Sequence, residues 1–224
     1  MHATALVLGE DVEALMDPYS EHDPEAVEPT WDWWVIGGRW SGTLLAREGR
    51  QAVVCTDPPY GQVLQQVTPD LACDQILRGD LDLDGMRARA AEQADEMWAK
   101  AAPVLQRCEP LRTLTQIRQA QEGVSDPWQT WRRQPGMDEL MPLVGLFGDP
   151  AEDFAGTHEE FIERARMNAL PAYAFLSAAT GWVRSRTYDE QWNPIPVPGY
   201  AQRVNQMVEQ APADTLVTLV DYHC

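Results

Sequence analysis

Residues 31–42 read Trp-Asp-Trp-Trp-Val-Ile-Gly-Gly-Arg-Trp-Ser-Gly, and they gather four of the chain's nine tryptophans around a glycine pair, one aspartate and one arginine. An indole is a large apolar body with a single N–H donor, so this cluster demands a buried or ligand-facing place. Gly37-Gly38 removes side chains where backbone amides can approach a neighbour or an anion. The segment is therefore either the architectural centre of the fold or the wall of a binding site.

The pattern on either side of it alternates between β and α signals. Residues 3–8 read as a short buried strand. Residues 9–30 are acidic and carry Pro18, Pro24 and Pro29, which predicts a loop with one helical turn at 12–16. Residues 33–46 then read as a long strand, interrupted or bulged at Gly37-Gly38. Arg47-Glu48-Gly49-Arg50 is a hairpin turn, residues 51–56 return as a strand, and Pro58-Pro59 ends it.

The middle of the chain reads as helical. Asp82 or Asp84 caps a helix through Met86, Ala90, Ala94, Met97 and Ala101, which Pro103 kinks or restarts. A second helix fits Leu111, Leu114 and Ile117, with Gly123 as its stop. Residues 123–153, with Trp128 and Trp131, show no clear period and read as irregular. Thr157-His158-Glu159-Glu160 has capping-box spacing and opens a further helix.

Beyond residue 170 the pattern returns to β. Residues 172–177 and 182–186 flank a hairpin turn. Tyr200, Val204, Met207 and Val208 make one helical face. Residues 215–223 are apolar on both faces until Asp221, the mark of a central strand. Together these predict one α+β domain over residues 1–224, an antiparallel, ferredoxin-like sheet packed by helices, with a largely helical insertion over 70–170. The strand at 215–223 and the tryptophan–glycine segment are too apolar for sheet edges, so they should share a sheet.

Charge narrows the functional classes. A formal charge of −18 disfavours binding to phosphate backbones or anionic membranes, which takes clustered cations. No apolar run approaches the ~20 residues of a membrane span. The first residues lack the basic start of a signal peptide, which predicts a cytoplasmic protein. Cys55, Cys73, Cys108 and Cys224 are far apart in sequence and predict free thiols, not a zinc ribbon. Residues 10–28 hold eight carboxylates and no Lys or Arg, and residues 149–163 hold six carboxylates. Such runs are solvated faces or docking surfaces for a basic partner.

Two constellations can carry chemistry. Asp221 and His223 are two apart on a strand and so share a face. They can bind a metal, or the carboxylate can orient the imidazole as a general base, with Asp32 as a further catalytic candidate. Trp33, Gly37, Gly38, Arg39 and Trp40 are candidates for binding a small anionic or nucleotide-like ligand. The competing reading makes Arg39 a brace, paired to Asp32 or Asp221 and stacked on tryptophan. The glycines fit neither a P-loop nor a dinucleotide fingerprint, so the sequence names no cofactor. His22 and His158 can complete a site only by folding onto Asp221 and His223.

Residues 31–42 and the ending Leu216-Val217-Thr218-Leu219-Val220-Asp221-Tyr222-His223 resemble a group of uncharacterised bacteriophage and actinobacterial proteins. Those proteins carry a WDWYxIGGRWxG segment early and a TxxDCHI ending. Here Tyr222 and Cys224 replace the Cys and Ile of that ending. The resemblance implies a shared fold and no specific activity. Two functions follow: an acidic cytoplasmic interaction protein that binds the basic surface of a protein partner, or an enzyme or ligand-binding protein using the Trp/Gly/Arg segment with the Asp-x-His pair.

Overall fold

The computed structural model describes residues 2–26, 28–50, 52–56, 64–68, 71–108, 110–120, 126–144, 148–189 and 194–224, with backbone alone at 52, 54–56 and 64–68. Pro58-Pro59, Gly123 and the Cys55 side chain lie outside the described residues. The chain divides into two compact units, Met1–Met86 with Met167–Cys224, and Arg87–Arg166.

The first unit is a mixed α+β structure. Its strands are β1 (His2–Leu8), β2 (Trp33–Ile36), β3 (Leu44–Leu45), β4 (Ala52–Thr56), β5 (Leu64–Thr68), β6 (Ala72–Cys73), β7 (Gln75–Leu77), β8 (Ala174–Ser177), β9 (Gly181–Arg184), β10 (Arg186–Tyr188), β11 (Pro194–Pro196) and β12 (Leu216–His223). The main sheet has the order β5-β4-β7-β12-β1-β8-β9, and β2 also pairs with β12. All of these pairings are antiparallel except β1 with β8. A ferredoxin-like sheet would split those two parallel strands by a third. Here they are direct neighbours, which corrects the finer topology expected above.

Period-2 alternation explains why β1 and β12 sit in the middle. Leu6, Leu8, Val217 and Leu219 pack to one side with Phe175, Tyr200, Val204 and Val208. Ala5, Val7, Val220 and Tyr222 pack to the other with Leu176, Val12, Met16 and Trp31. An amphipathic helix at Tyr200–Gln210 covers the first face, and a short helix at Val12–Met16 covers the second. Trp31 is buried without a polar penalty, because its indole N–H donates to the Met16 carbonyl at 3.0 Å.

Of the two outcomes expected at Gly37-Gly38, the strand over 33–46 is interrupted and not bulged. β2 stops at Ile36, Gly37 and Gly38 take positive φ of 73° and 56°, and a 3₁₀ turn covers Gly38–Trp40. The chain then re-enters as β3, which pairs with β6. β4 joins the main sheet through β5 and β7, so the turn at Arg47–Arg50 closes no hairpin with β3. One edge of β12 explains the break. β7 uses it at Leu216–Thr218, and β2 uses it at Val220–His223. At the junction, Leu219 donates to the Asp74 carbonyl at 2.8 Å and accepts from the Gly37 N–H at 2.8 Å.

The second unit is helical among the described residues. With the two helices already placed, the helices in chain order are α1 (Val12–Met16), α2 (Leu83–Arg107), α3 (Leu114–Gln119), α4 (Pro127–Arg132), α5 (Met137–Val144), α6 (Pro150–Asp153), α7 (His158–Met167) and α8 (Tyr200–Gln210). Gly85 donates to the Asp82 carboxylate at 3.0 Å, so Asp82 and not Asp84 caps α2. That helix continues through Pro103 without ending. Thr157 and Glu160 form the expected capping box, with bonds of 2.7 and 3.2 Å. The region read as irregular instead holds α4, α5 and α6. Asp126-Pro127 and Asp149-Pro150 each supply a capping carboxylate followed by a proline in the first turn. No helix among the described residues is long and apolar enough to cross a membrane.

Candidate functional site

The tryptophan–glycine segment and the end of β12 meet, as their apolar patterns require. Trp33 lies opposite His223 and Val35 opposite Asp221 in the β2–β12 register. On the other edge of β12, His2 lies opposite His223 and Thr4 opposite Asp221. Directly opposed residues share a face, so His2, Trp33, Asp221 and His223 project to one side of the sheet's end.

Two Asp–His contacts form there, one between β1 and β12 and one from β12 to the residue just before β2. Asp221 is 1% exposed. Its Oδ1 lies 2.9 Å from His2 Nδ1, and its Oδ2 accepts from the Arg39 backbone N–H at 3.1 Å. His223 Nδ1 lies 2.8 Å from Asp32 Oδ1, with both side chains 40% exposed. The hydrogen bond from His223 holds the Asp32 carboxyl below its usual range, against the opposing effect of burial. Because an ionised carboxylate only accepts, Nδ1 is the donor in each contact and Nε2 is left for other partners. The rings of His2 and His223 meet edge to face at 5.2 Å, and His2 also meets Trp33 at 5.6 Å. His22 joins the periphery through its Nε2, 2.9 Å from the Asp32 carbonyl. His158 is elsewhere, paired with Asp95 and stacked on Trp98 in the second unit.

The glycine pair has a steric role. A Cβ on Gly38 would sit 2.5 Å from the Asp221 Cβ, and one on Gly37 would sit 2.5 Å from Asp74 Oδ2. The turn thus lies directly on two buried carboxylates. Asp74 is fully buried and accepts from the Ser41 hydroxyl at 2.9 Å and the Gly42 N–H at 2.5 Å. Gly37 and Gly38 therefore permit this close approach, and the Gly37 N–H is left to the Leu219 carbonyl of β12.

Several expected roles change. Arg39 is not a side-chain brace. Its backbone N–H, not its guanidinium, contacts Asp221, and the side chain is exposed with no partner among the described residues. Trp40 packs half-buried against the main core, and Trp34 meets Trp31 edge to face at 6.3 Å on the other face. Of the four clustered tryptophans only Trp33 is exposed, at 44%. Asp221 spends both oxygens on protein donors, so it serves as an anchor behind His2. No group of three or more His, Cys, Asp or Glu able to hold a metal occurs among the described residues.

Sequence reasoning missed His2 and Asp74. The signal for His2 was present: the antiparallel register that sets Leu6 opposite Leu219 also sets His2 opposite His223. Asp74 has no such signal, because its links to the site, at Leu219 and at the turn through Ser41 and Gly42, are set by tertiary packing and not by a local pattern.

The thiols fit the expectation of free cysteines. Cys73, Cys108 and Cys224 form no disulfide, and burial pushes the Cys73 thiol up to about 12. Comparison with known proteins returns no match, whether to a family model, a curated protein or a solved structure.

Proposed function

We propose that the chain binds a small anionic ligand bearing a planar ring, of nucleotide-like chemistry, at the end of β1, β2 and β12. The observation that carries this reading is the pair of neighbouring Asp–His contacts beside the exposed Trp33. Each carboxylate fixes its imidazole through Nδ1 and turns Nε2 to the ligand. When charged, such a ring donates to a phosphate or carboxylate oxygen; when neutral, its Nε2 accepts a proton. Trp33 supplies a face for stacking and Arg39 an unpaired guanidinium. If the ligand is a substrate, His223 is the general base and Asp32 its orienting carboxylate.

The test is an NMR titration of the imidazole resonances with inorganic phosphate and with nucleoside phosphates. Saturable, joint shifts of His2 and His223, lost in Arg39→Ala, support the reading. Unmoved rings at millimolar ligand overturn it.

A second reading is favoured by a separate observation. All eight carboxylates of residues 10–28 are exposed, and among the described residues only Glu28 meets a cation, Arg184 at 3.1 Å. This segment would then bind the basic surface of a protein partner in the cytoplasm. By contrast, Asp149 and Asp153 are half-buried, and Asp149 caps α6 and accepts from Leu114 N–H. Membership in the phage and actinobacterial group is compatible with either reading.

A further inference from the structure

The scarcity of cations makes their placement informative: 17 Lys and Arg stand against 35 Asp and Glu. Four of them, Arg112, Arg118, Arg132 and Arg133, fall between residues 111 and 136, and all four are exposed. Among the described residues of that stretch the only acid is Asp126, whose carboxylate is used to cap α4 at Gln129 N–H.

An exposed indole sits among these cations. Trp131 is 2% exposed and packs with Ile117 and Met137. Trp128, one turn before Arg132 on α4, is 50% exposed and lies on Trp131 at 4.8 Å. It therefore presents a large apolar face with a rigid backing. Gln134 clasps the Arg112 backbone from both sides, at 2.7 and 2.8 Å, which brings Arg112 beside the end of α4. Neither Arg132 nor Arg133 has an ion pair among the described residues. Tryptophan and arginine together are the residue types that dominate protein interfaces.

We infer that Trp128, Arg132 and Arg133 form a docking face for the acidic segment, residues 10–28, of a second copy of this chain. Charge complementarity selects this occupant. The acidic segment is the cation-free counterpart of the arginine face and is present at the same concentration by construction. Hydrogen bonds already fix several of its described residues. Glu21 donates to the Trp31 carbonyl at 2.8 Å, Thr30 to the Tyr19 carbonyl at 2.8 Å, and Asp23 caps its own turn at Glu25 N–H. An ordered segment loses less conformational entropy on docking. A nucleic acid strand is the poorer occupant, since binding a phosphate backbone takes a longer run of clustered cations than these arginines supply.

This inference rests on the second reading above, because it names the basic partner of the acidic segment. The test is sedimentation of the full chain at low and at high salt. Self-association at low salt is expected, weakened about tenfold or more by Trp128→Ala and by Arg132→Glu with Arg133→Glu. High salt should disperse it. Mixing the Arg→Glu copy with a copy carrying Glu21→Arg, Asp23→Arg and Glu25→Arg should restore association. All these side chains are exposed, and unchanged melting of each variant confirms that folding is intact.

A chain that stays monomeric at low salt, or associates without regard to these variants, overturns the inference. So does an oligonucleotide that binds the full chain through Trp128. Titration of the full chain with a short oligo-arginine, beside the variant carrying Glu21→Arg, Asp23→Arg and Glu25→Arg as control, separates the two levels. If the oligo-arginine binds the acidic segment of a monomeric chain, the second copy is wrong and the acidic-surface reading stands. If it does not bind and the chain is monomeric, both fall.

Discussion

At the Asp221 corner of the site the carboxylate is 1% exposed and occupied on both oxygens, by His2 and by the Arg39 backbone N–H. At the Asp32 corner, a few ångströms along the same strand end, carboxylate and imidazole are both 40% exposed. The residue types are the same, and so is the Nδ1 contact. What differs is the support behind them. The buried carboxylate replaces lost hydration with fixed donors, so its removal is felt by the fold. The exposed pair is cheap to the fold and open to a ligand. One corner sets the turn at Gly37-Gly38, and the other presents chemistry to solvent.

The sharpest way to break this contrast is to press on the buried corner. Gly38→Ala places a Cβ 2.5 Å from that of Asp221 and forces alanine to a φ of 56°. Left-handed strain and overpacking together should cost about 3 kcal/mol, read as a lowered denaturant midpoint at unchanged slope. Asp221→Ala comes next. It leaves the Arg39 N–H without its acceptor and His2 without its anchor, and should cost about 2 kcal/mol. If either variant unfolds like the parent, the carboxylate is not holding the turn.

The same contrast governs what could be read from the sequence. β1 and β12 were legible because their residues alternate between two covered faces, and the β8–β9 hairpin because Thr180-Gly181 marks its turn. The Asp221–His223 spacing correctly placed both residues on one face. It could not show that each would pair with a residue distant in sequence, His2 on β1 and Asp32 just before β2, since such pairing is set by register and not by local pattern. The choice between a break and a bulge at Gly37-Gly38 was left open for a related reason. An apolar run with two glycines suits either, and only the shared edge of β12 decides that it must turn. The helices over 127–153 are too short for periodicity to reveal, but their Asp-Pro starts were visible.

At the exposed corner, pH is the sharper probe. The Asp32 carboxyl is held low in the folded state by the His223 hydrogen bond, so the charged form is the one folding favours. Its contribution is fully present above the unfolded carboxyl value and is lost as pH falls through the lowered folded value. Asp32→Asn should therefore melt below the parent at neutral pH, by less than Asp221→Ala does, and the two melting curves should converge as the solution is acidified below about pH 4. A gap that persists in strong acid would show that Asp32 supports the fold by some means other than its charge.

The smallest expected effect on stability belongs to Arg39→Lys, and it separates the two corners most cleanly. The backbone N–H of residue 39 makes the contact to Asp221, and any residue but proline supplies that donor. The side chain itself is exposed and has no partner among the described residues, so shortening its fork to an ammonium should move stability by no more than about 0.5 kcal/mol. Recognition should respond differently. A guanidinium offers two parallel donors to a phosphate or carboxylate, whereas lysine offers a point charge, so anion binding followed through the His2 and His223 resonances should weaken while melting stays put. A loss of about 2 kcal/mol in stability would instead make Arg39 part of the buried corner and erase the division between them.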